Sequence, residues 1–400
     1  MDTTASDQRS YRLPSIDILR GLVIVIMALD HCRDFLMVAS AQDPMAGNDI
    51  PPGLFFTRWI THFCAPVFVF LAGTSAGLMT SRRTPREIGR LLFTRGLWLV
   101  FVEALIVSNG WTFSPGGIEP LGGRYLVVLQ VIWALGASMI VLGAAQFLGR
   151  GACLGLGAVI VLGHNLLDPV WPHVARDSLD APLWIGLHSR MQAAFGPVFV
   201  NVAYPVLPWT GAMLLGFGAS FLFERPPPER SRLLLRIGLA VTLAFLLVRG
   251  IDAYGEPHAW HWQPGGILDT VMSFLNTTKY PPSLDYLLMT LGPAAIFLSF
   301  AERMRGAVAG VLSTIGRAPF AFYVAHIYLI HLVSIGLGAA QGFDPAKFLT
   351  LFVFYPKEGY GVPLAGVYVF WLLVVAALYP LSAAVARLKA RRRDWWLGYL

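Results

Sequence analysis

Long apolar segments recur along the chain, and each can cross a lipid bilayer as a helix, since a bilayer core about 30 Å thick needs about 20 apolar residues. The composition agrees: 56% of the 400 residues are hydrophobic and only 13% are charged, against about 25% charged in soluble domains. We therefore predict an all-α fold, a polytopic integral membrane helical bundle of about ten transmembrane helices. The predicted helices cover residues 15–38, 58–80, 89–108, 124–148, 151–167, 201–223, 232–250, 284–302, 312–337 and 363–386.

The connections between these segments predict how the protein lies in the membrane. Short, arginine-rich connections occur at 81–90, 224–232, 302–306 and 387–394. Basic residues concentrate on the cytoplasmic side of membrane proteins, so we predict that both termini are cytoplasmic. The net charge of +7 follows from this topology and does not indicate a nucleic-acid partner. The predominance of arginine over lysine and the lack of a targeting segment suggest a bacterial inner membrane.

We predict one transmembrane domain, 15–387, between a cytoplasmic N-terminal segment, 1–14, and a basic cytoplasmic tail, 388–400. A cleaved signal peptide is the alternative for the N-terminus, because Ala39-Ser40-Ala41 resembles a cleavage site. Charged residues crowd the region just before it, where a signal peptide stays uncharged, so we expect the helix to be retained.

The spacing Gly151-x-x-x-Gly155 predicts a close helix contact. The lipid bilayer is the expected partner, and a homodimer is one assembly that this interpretation allows.

The first apolar segment carries ionisable residues at both of its ends. Asp17 lies 17 residues before Asp34, which is about 25 Å of helix at about 1.5 Å per residue. Ionisable side chains within a membrane span are costly, and they usually line a polar cavity. This helix is therefore predicted to do more than anchor the chain. The charged residues and the histidine at its outer end are Asp30, His31, Arg33 and Asp34.

The second apolar segment begins at the same outer level and carries Arg58 and His62 in its first turns. His31 and Asp34 are three residues apart and share a helix face. A carboxylate can fix the tautomer of a histidine and raise its basicity, as a general base requires. We predict that His31 is the base, that Asp34 or Asp30 orients it, and that His62 or Arg58 stabilises an oxyanion or binds the acceptor, with Arg33 beside them. The competing interpretation is a buried hydrogen-bond cluster that locks two helices together.

Polar and aromatic residues elsewhere are further candidates for substrate binding. Tyr323 and His326 share one face of the ninth segment, and His331 lies on another face. Trp260 and Trp262 follow the seventh segment, where they could stack on a sugar or belong to an interfacial aromatic belt. The nearby residues Glu256, His258 and His261 form an incomplete set of metal ligands. The three cysteines form no CxxC pair. We therefore expect no bound metal ion.

Arginines at the cytoplasmic side are candidates for binding the phosphates of a donor molecule, because guanidinium groups bind phosphate strongly. A simple positive-inside bias is the competing explanation for them. The candidates are Arg20, Arg82, Arg83 and Arg86.

Two stretches of the sequence resemble known membrane acyltransferases. Asp17-x-x-Arg20-Gly21-Leu22, with His31 eleven residues after the arginine, resembles the opening helix of the acyltransferase-3 family, in which a histidine at that place is catalytic. RLPSIDILRGLVIVIMALDH and FTRWITHFCAPVFVFLAGTSA are similar to the bacterial relatives of heparan-alpha-glucosaminide N-acetyltransferase, within the transmembrane acyl transferase superfamily. AFYVAHIYLIHL is similar to the late helix of that family. The resemblance implies acetyl-CoA as the donor.

One departure limits this resemblance. The lysosomal enzyme of the family has its catalytic histidine in the loop between spans one and two, whereas residues 38–57 here contain no histidine. The role therefore carries over to His31 by the acyltransferase-3 pattern alone. We expect an integral membrane acyltransferase that moves an acyl group from a cytoplasmic CoA donor to a glycan or other envelope acceptor at the outer face. The alternatives are a proton-coupled small-molecule transporter or permease and a non-catalytic membrane scaffold.

Overall fold

Helices account for most of the structure, and each of the ten predicted apolar segments overlaps at least one of them. The computed structural model of the protein describes residues 13–38, 45, 50–171, 184–392 and 394–399. Residues 1–12 of the predicted N-terminal segment, 1–14, and residues 39–44 and 46–49 of the loop 38–57 lie outside the described residues. The α-helices are α1 Pro14–Leu36, α2 Pro52–Thr61, α3 Cys64–Leu78, α4 Pro85–Phe101, α5 Ser108–Thr112, α6 Val131–Ala145, α7 Gly149–Gly163, α8 Val206–Gly218, α9 Pro227–Ile251, α10 Ile267–Leu275, α11 Leu284–Ala301, α12 Ala307–Gly316, α13 Pro319–Ala340 and α14 Leu364–Arg391.

Shorter helical pieces extend or connect these helices. A π-helical turn, Val102–Val107, continues α4 into α5. The 3-10 helices are Met79–Ser81, Glu119–Leu121, Gln146–Leu148, His164–Leu167, Ala219–Glu224, Pro345–Phe348, Phe352–Phe354 and Trp395–Tyr399.

The prediction of an all-α fold is wrong in one respect, because the structure contains a three-stranded sheet. Its strands are β1 Tyr125–Leu129, β2 Met191–Phe195 and β3 Val198–Val202. The order is β1-β3-β2, with β1 parallel to β3 (Tyr125 opposite Val198) and β2 antiparallel to β3 (Phe195 opposite Val198). A short apolar run fits a buried strand as well as a helix. The predicted helix 124–148 therefore starts at Val131, and 201–223 starts at Val206.

Eight helical segments of the described chain are long and apolar enough to cross a membrane, where we predicted about ten. The difference has two sources. The 23-residue helix α1 is long enough but carries five charged side chains, and residues 131–167 form one continuous helical segment where we predicted two helices. Within that segment the backbone departs from helical geometry at Gly149, whose φ of +86° suits glycine better than other residues.

Helix α1 lies at the centre of the bundle and packs against α2, α3, α11, α12, α13 and α14. Its closest approach is to α12, because glycines face each other on the two helices. A Cβ atom at Gly21 would lie 1.9 Å from the carbonyl oxygen of Leu312, and a Cβ atom at Gly316 would lie 1.9 Å from that of Asp17. Glycine therefore sets the distance between α1 and α12, as small residues do in membrane helix pairs.

The contact predicted from Gly151 and Gly155 is wrong. A Cβ atom added at either residue would have no neighbouring segment of the described chain within 4 Å. The close contact of α7 is made instead by Gly157, whose added Cβ would lie 2.7 Å from the backbone nitrogen of Leu215 on α8. The spacing is present in the sequence, but it lies on the outward face of α7.

A buried ion pair joins three helices near the first turn of α1. Arg230 of α9 is 2% exposed, and its Nε and Nη2 donate to the two carboxylate oxygens of Glu302 at 2.9 and 2.6 Å. Glu302 follows the last residue of α11 and also accepts from the hydroxyl of Ser15 at 2.7 Å. This arrangement fixes the ends of α1, α9 and α11 relative to one another.

Candidate functional site

Two buried histidines from distant parts of the chain meet beside α1. Nδ1 of His31 on α1 lies 2.6 Å from Nε2 of His326 on α13. The two ring planes are inclined by 16° with centroids 4.9 Å apart, as in rings joined edge to edge by a hydrogen bond, and the ring of Trp111 packs against His31 at 74° with centroids 5.0 Å apart. The exposed fractions are 8% for His31 and 0% for His326. The sequence placed Tyr323 and His326 on one face of their helix, and the structure directs that face toward α1.

The hydrogen bonds define which nitrogen of each neutral ring carries the proton. Nδ1 of His326 faces the backbone carbonyls of Tyr323 and Phe322, and a carbonyl can only accept, so this nitrogen carries the hydrogen. Nε2 of His326 is then an acceptor, and Nδ1 of His31 donates to it. The lone pair of His31 is consequently on Nε2, which makes no hydrogen bond within the described part of the chain. Such a nitrogen can accept a proton from a substrate.

The predicted convergence of charged residues from the first two segments is present as an ion-pair cluster. Nη2 of Arg33 donates to Asp30 at 2.9 Å and to Asp34 at 2.6 Å, and Nη1 of Arg58 on α2 donates to the other oxygen of Asp30. The predicted contact between a carboxylate and His31 is not found, because no hydrogen bond joins His31 to Asp30 or Asp34 among the described residues. The two arginines engage these carboxylates, and His326 takes the orienting position.

His62 lies where α2 ends, one turn beyond Arg58. Its backbone carbonyl accepts from the hydroxyl of Tyr286 at 2.8 Å, and its ring packs against that tyrosine with centroids 5.3 Å apart. Its Nδ1 is buried without a hydrogen-bond partner in the described chain. The structure thus places His62 near the ion-pair cluster but shows no ring contact between His62 and His31 within the described residues.

Lys279 and Tyr280 belong to the same region, although the sequence analysis did not single them out. Nζ of Lys279 lies 5.3 Å from the ring centroid of Tyr280 and 5.8 Å from that of Tyr204. Ring contacts then lead from Tyr204 through Trp209 and Tyr286 to His62. Lys279 lies in the connection 251–283, which we predicted to be on the outer side. A basic residue is uncommon there under the positive-inside rule, and this is the signal that could have identified it.

A cavity of about 310 Å³ opens between α1, α3, α4, α6 and α13, a size within the usual range for ligand sites. Four cations line it, from four different parts of the chain: Arg20, Arg95, Arg317 and Lys389. We call it the basic cavity. It also reaches Met27, one helical turn before His31, and Tyr323, one turn before His326. Along both helices it therefore ends about 5–6 Å from the histidine pair.

The basic cavity contains one of the arginines that we selected as phosphate-binding candidates. Arg20 lines it, whereas Arg82 and Arg83 line a separate surface pocket with Glu224 and Arg225. Arg86 is exposed in the first turn of α4. The sequence did not indicate Arg95, Arg317 and Lys389 as one group, because these residues become neighbours only when α4, α14 and the connection between α12 and α13 pack together.

The aromatic and acidic residues after α9 form a separate structural cluster. Trp260 packs against Trp262 and Phe274, with centroids 5.9 and 5.4 Å apart. Glu256 accepts from the backbone nitrogen of Thr278 at 2.9 Å and from the hydroxyl of Ser283 at 2.6 Å, so its carboxylate holds this loop together. No group of three or more His, Cys, Asp or Glu side chains is arranged for a metal ion in the described ranges.

Comparison with known protein families gives a match to an acetyltransferase family. Residues 12–251 match the family described as heparan-alpha-glucosaminide N-acetyltransferase, catalytic, which covers more than half of the 400 residues. Comparison with curated proteins gives no match. This family uses acetyl-CoA as its donor, and membership implies a membrane N-acetyltransferase-like activity. The chain is a multi-pass membrane protein and belongs to the heparan-alpha-glucosaminide N-acetyltransferase catalytic family.

Proposed function

We propose that this protein transfers an acetyl group from acetyl-CoA on the cytoplasmic side to a hydroxyl or amine of a glycan or other envelope acceptor on the outer side of a bacterial inner membrane. One observation carries this proposal. The basic cavity, lined by four cations, extends to within one helical turn of the histidine pair on both α1 and α13. A donor with phosphates at one end and a thioester at the other fits such an arrangement, since arginine and lysine side chains bind phosphate.

The proposed topology has ten crossings with both termini in the cytoplasm. Eight helical segments are long and apolar enough, and α1 adds one crossing. The segment 131–167 adds another, because 37 residues would extend about 55 Å as one straight helix, nearly twice the apolar thickness of a bilayer. The departure from helical geometry at Gly149 divides it. Residues 15–387 then form one domain, which fits the contribution of α13 and α14 to a site that begins on α1.

The site residues have distinct proposed roles. Acetyl-CoA supplies an activated acetyl group. Nε2 of His31 accepts the proton of the acceptor as the acceptor oxygen or nitrogen bonds to the acetyl carbon. The carbon–sulfur bond breaks, and the proton returns from His31 to the sulfur, which leaves as a thiol. His326 keeps Nδ1 of His31 protonated and shares the positive charge that develops. Arg58 or His62 stabilises the oxyanion or binds the acceptor, and Asp30 and Asp34 hold Arg33 and Arg58 in place.

The test is acetyl transfer by purified protein in detergent. Labelled acetyl-CoA is incubated with the protein and an extract of bacterial envelope glycans, and both free CoA and labelled product are measured. We expect binding of acetyl-CoA below millimolar concentration and release of CoA that increases with the extract. Absence of donor binding, together with substrate-driven proton flux in proteoliposomes, would instead identify a transporter.

A further inference from the structure

Tyr323 carries a buried hydroxyl group that has no hydrogen-bond partner within the described part of the chain. The residue is 3% exposed. Other buried tyrosines are satisfied by backbone carbonyls. The hydroxyl of Tyr286 donates to the carbonyl of His62 at 2.8 Å, and the hydroxyl of Tyr360 donates to that of Phe35 at 2.6 Å. Burial of an unpaired hydroxyl is unfavourable, so stability alone does not explain this tyrosine.

Tyr323 lies where the basic cavity meets the histidine pair. Its side chain lines the cavity, and its ring packs against that of His326 with centroids 5.3 Å apart and the planes inclined by 60°. Its backbone carbonyl accepts from Nδ1 of the same histidine. The side chain and the main chain of Tyr323 therefore both contact the residue that orients His31.

The other groups at this depth do not offer a free donor. Met27 lines the cavity on α1, one turn before His31, but a thioether has no hydrogen to donate. The backbone amides of α1 and α13 at this depth are hydrogen-bonded within their helices. Ser75 also lines the cavity, and its hydroxyl already donates to the carbonyl of Leu71 at 2.7 Å. The hydroxyl of Tyr323 is thus a donor without a commitment beside the histidine pair.

The depth of Tyr323 matches the reacting end of a donor molecule. Arg20 of the basic cavity lies eleven residues before His31 on α1, which is about 16 Å along the helix. A donor whose phosphates bind Arg20 would have to place its acyl end beyond Met27 to reach His31. The thioester carbonyl, which accepts hydrogen bonds but cannot donate them, would then lie at the level of Tyr323.

We propose that the hydroxyl of Tyr323 donates a hydrogen bond to the carbonyl oxygen of the acetyl thioester. Negative charge develops on this oxygen as the acceptor bonds to the carbonyl carbon, and it is lost again when the carbon–sulfur bond breaks. Tyr323 keeps its proton throughout and stabilises the oxyanion, which leaves Arg58 and His62 to bind the acceptor. The inference rests on the acetyltransferase function proposed above and adds a catalytic residue to it.

The first experiment compares Tyr323→Phe, which removes only the hydroxyl oxygen, with the wild type. Loss of one donor to an oxyanion should lower kcat for acceptor-dependent CoA release about 100-fold, with the KM for acetyl-CoA near the wild-type value. The melting temperature in detergent should stay the same or rise, because an unpaired buried hydroxyl has been removed. A folded Tyr323→Phe protein with wild-type kcat would overturn the proposal.

Tyr328→Phe is the matched control, since Tyr328 lies five residues later on the same helix and its hydroxyl donates to the carbonyl of Ile106 at 2.8 Å. This variant should lower the melting temperature and leave kcat unchanged. The two variants therefore have opposite expected effects on stability and on kcat. The reverse pattern, with a less stable but fully active Tyr323→Phe protein, would show a purely structural role for Tyr323.

The second experiment detects the hydrogen bond without any turnover. The infrared band of the thioester carbonyl is recorded for acetyl-CoA labelled with ¹³C at that carbon and bound to each protein. The band should lie at lower frequency in the wild type and in Tyr328→Phe than in Tyr323→Phe. A wild type that binds no acetyl-CoA would contradict the acetyltransferase itself. A wild type that binds and transfers acetyl, with the same band in Tyr323→Phe, would overturn the role of Tyr323 alone.

Discussion

Nε2 of His326 lies 2.6 Å from Nδ1 of His31, although 295 residues separate them in the chain. The family match covers residues 12–251 and therefore includes only the first of these two histidines. His326 determines the tautomer of His31, because its own Nδ1 is committed to the backbone carbonyl of Tyr323. The part of the chain beyond the match thus supplies the hydrogen-bond partner of His31.

We predict that the acceptor nitrogen of His326 is needed for catalysis. His326→Leu removes the group that accepts from His31, so kcat for CoA release should fall about tenfold or more. His326→Gln retains an acceptor in its amide oxygen and should lose less activity. Both variants should keep the KM for acetyl-CoA near the wild-type value. A folded His326→Leu protein with wild-type kcat would show that His31 does not need this partner.

We predict that the basic cavity, and not the Arg82 and Arg83 surface, binds the donor. The double variant Arg95→Met with Arg317→Met removes two cations, and the Kd for acetyl-CoA should rise by about tenfold or more, since about 1.4 kcal/mol corresponds to tenfold. Arg82→Met with Arg83→Met is the matched control and should leave the Kd unchanged. The opposite pattern would support the phosphate site that the sequence suggested. Calorimetry in detergent gives both constants.

The close contact between α1 and α12 should be sensitive to a single methyl group. In Gly21→Ala the new Cβ would lie 1.9 Å from a backbone carbonyl oxygen, so the helices must separate, and we expect a lower melting temperature in detergent. Gly155→Ala is the control, because no neighbouring segment of the described chain lies within 4 Å of its added Cβ. It should be neutral or stabilising by up to about 1 kcal/mol. Equal melting temperatures for the two variants would contradict this packing.

The buried pair of Arg230 and Glu302 should contribute far more to stability than the exposed pair of Arg225 and Glu229. Glu302→Gln leaves the buried guanidinium without its counter-ion, which costs about 3–5 kcal/mol when such pairs are broken. Glu229→Gln affects side chains that are 53% and 46% exposed in their pair, where about 0.3–0.5 kcal/mol is typical. Denaturant unfolding in detergent should rank the variants in that order. A similar loss in both would show that burial does not matter here.

The sequence predicted the helices well, because membrane length and apolar character are local properties. It also predicted that Arg58 and Asp30 converge, since both lie at the same end of consecutive segments. It could not predict the His31–His326 contact, because periodicity gives the face of a helix and not the helix that this face meets. The sheet was missed for another reason: Tyr125–Leu129 and Val198–Val202 are short, mostly apolar runs next to predicted helices, and periodicity alone cannot separate such runs from buried helix segments.

The most direct measurement is acetyl transfer by His31→Ala beside the wild type, with acetyl-CoA affinity determined on the same preparations. His31 lies beyond the inner end of the basic cavity, so the variant should bind acetyl-CoA with an unchanged Kd. Its kcat for acceptor-dependent CoA release should fall at least about 100-fold, as expected for loss of a general base. A His31→Ala protein that binds the donor normally and transfers the acetyl group at the wild-type rate would contradict the account.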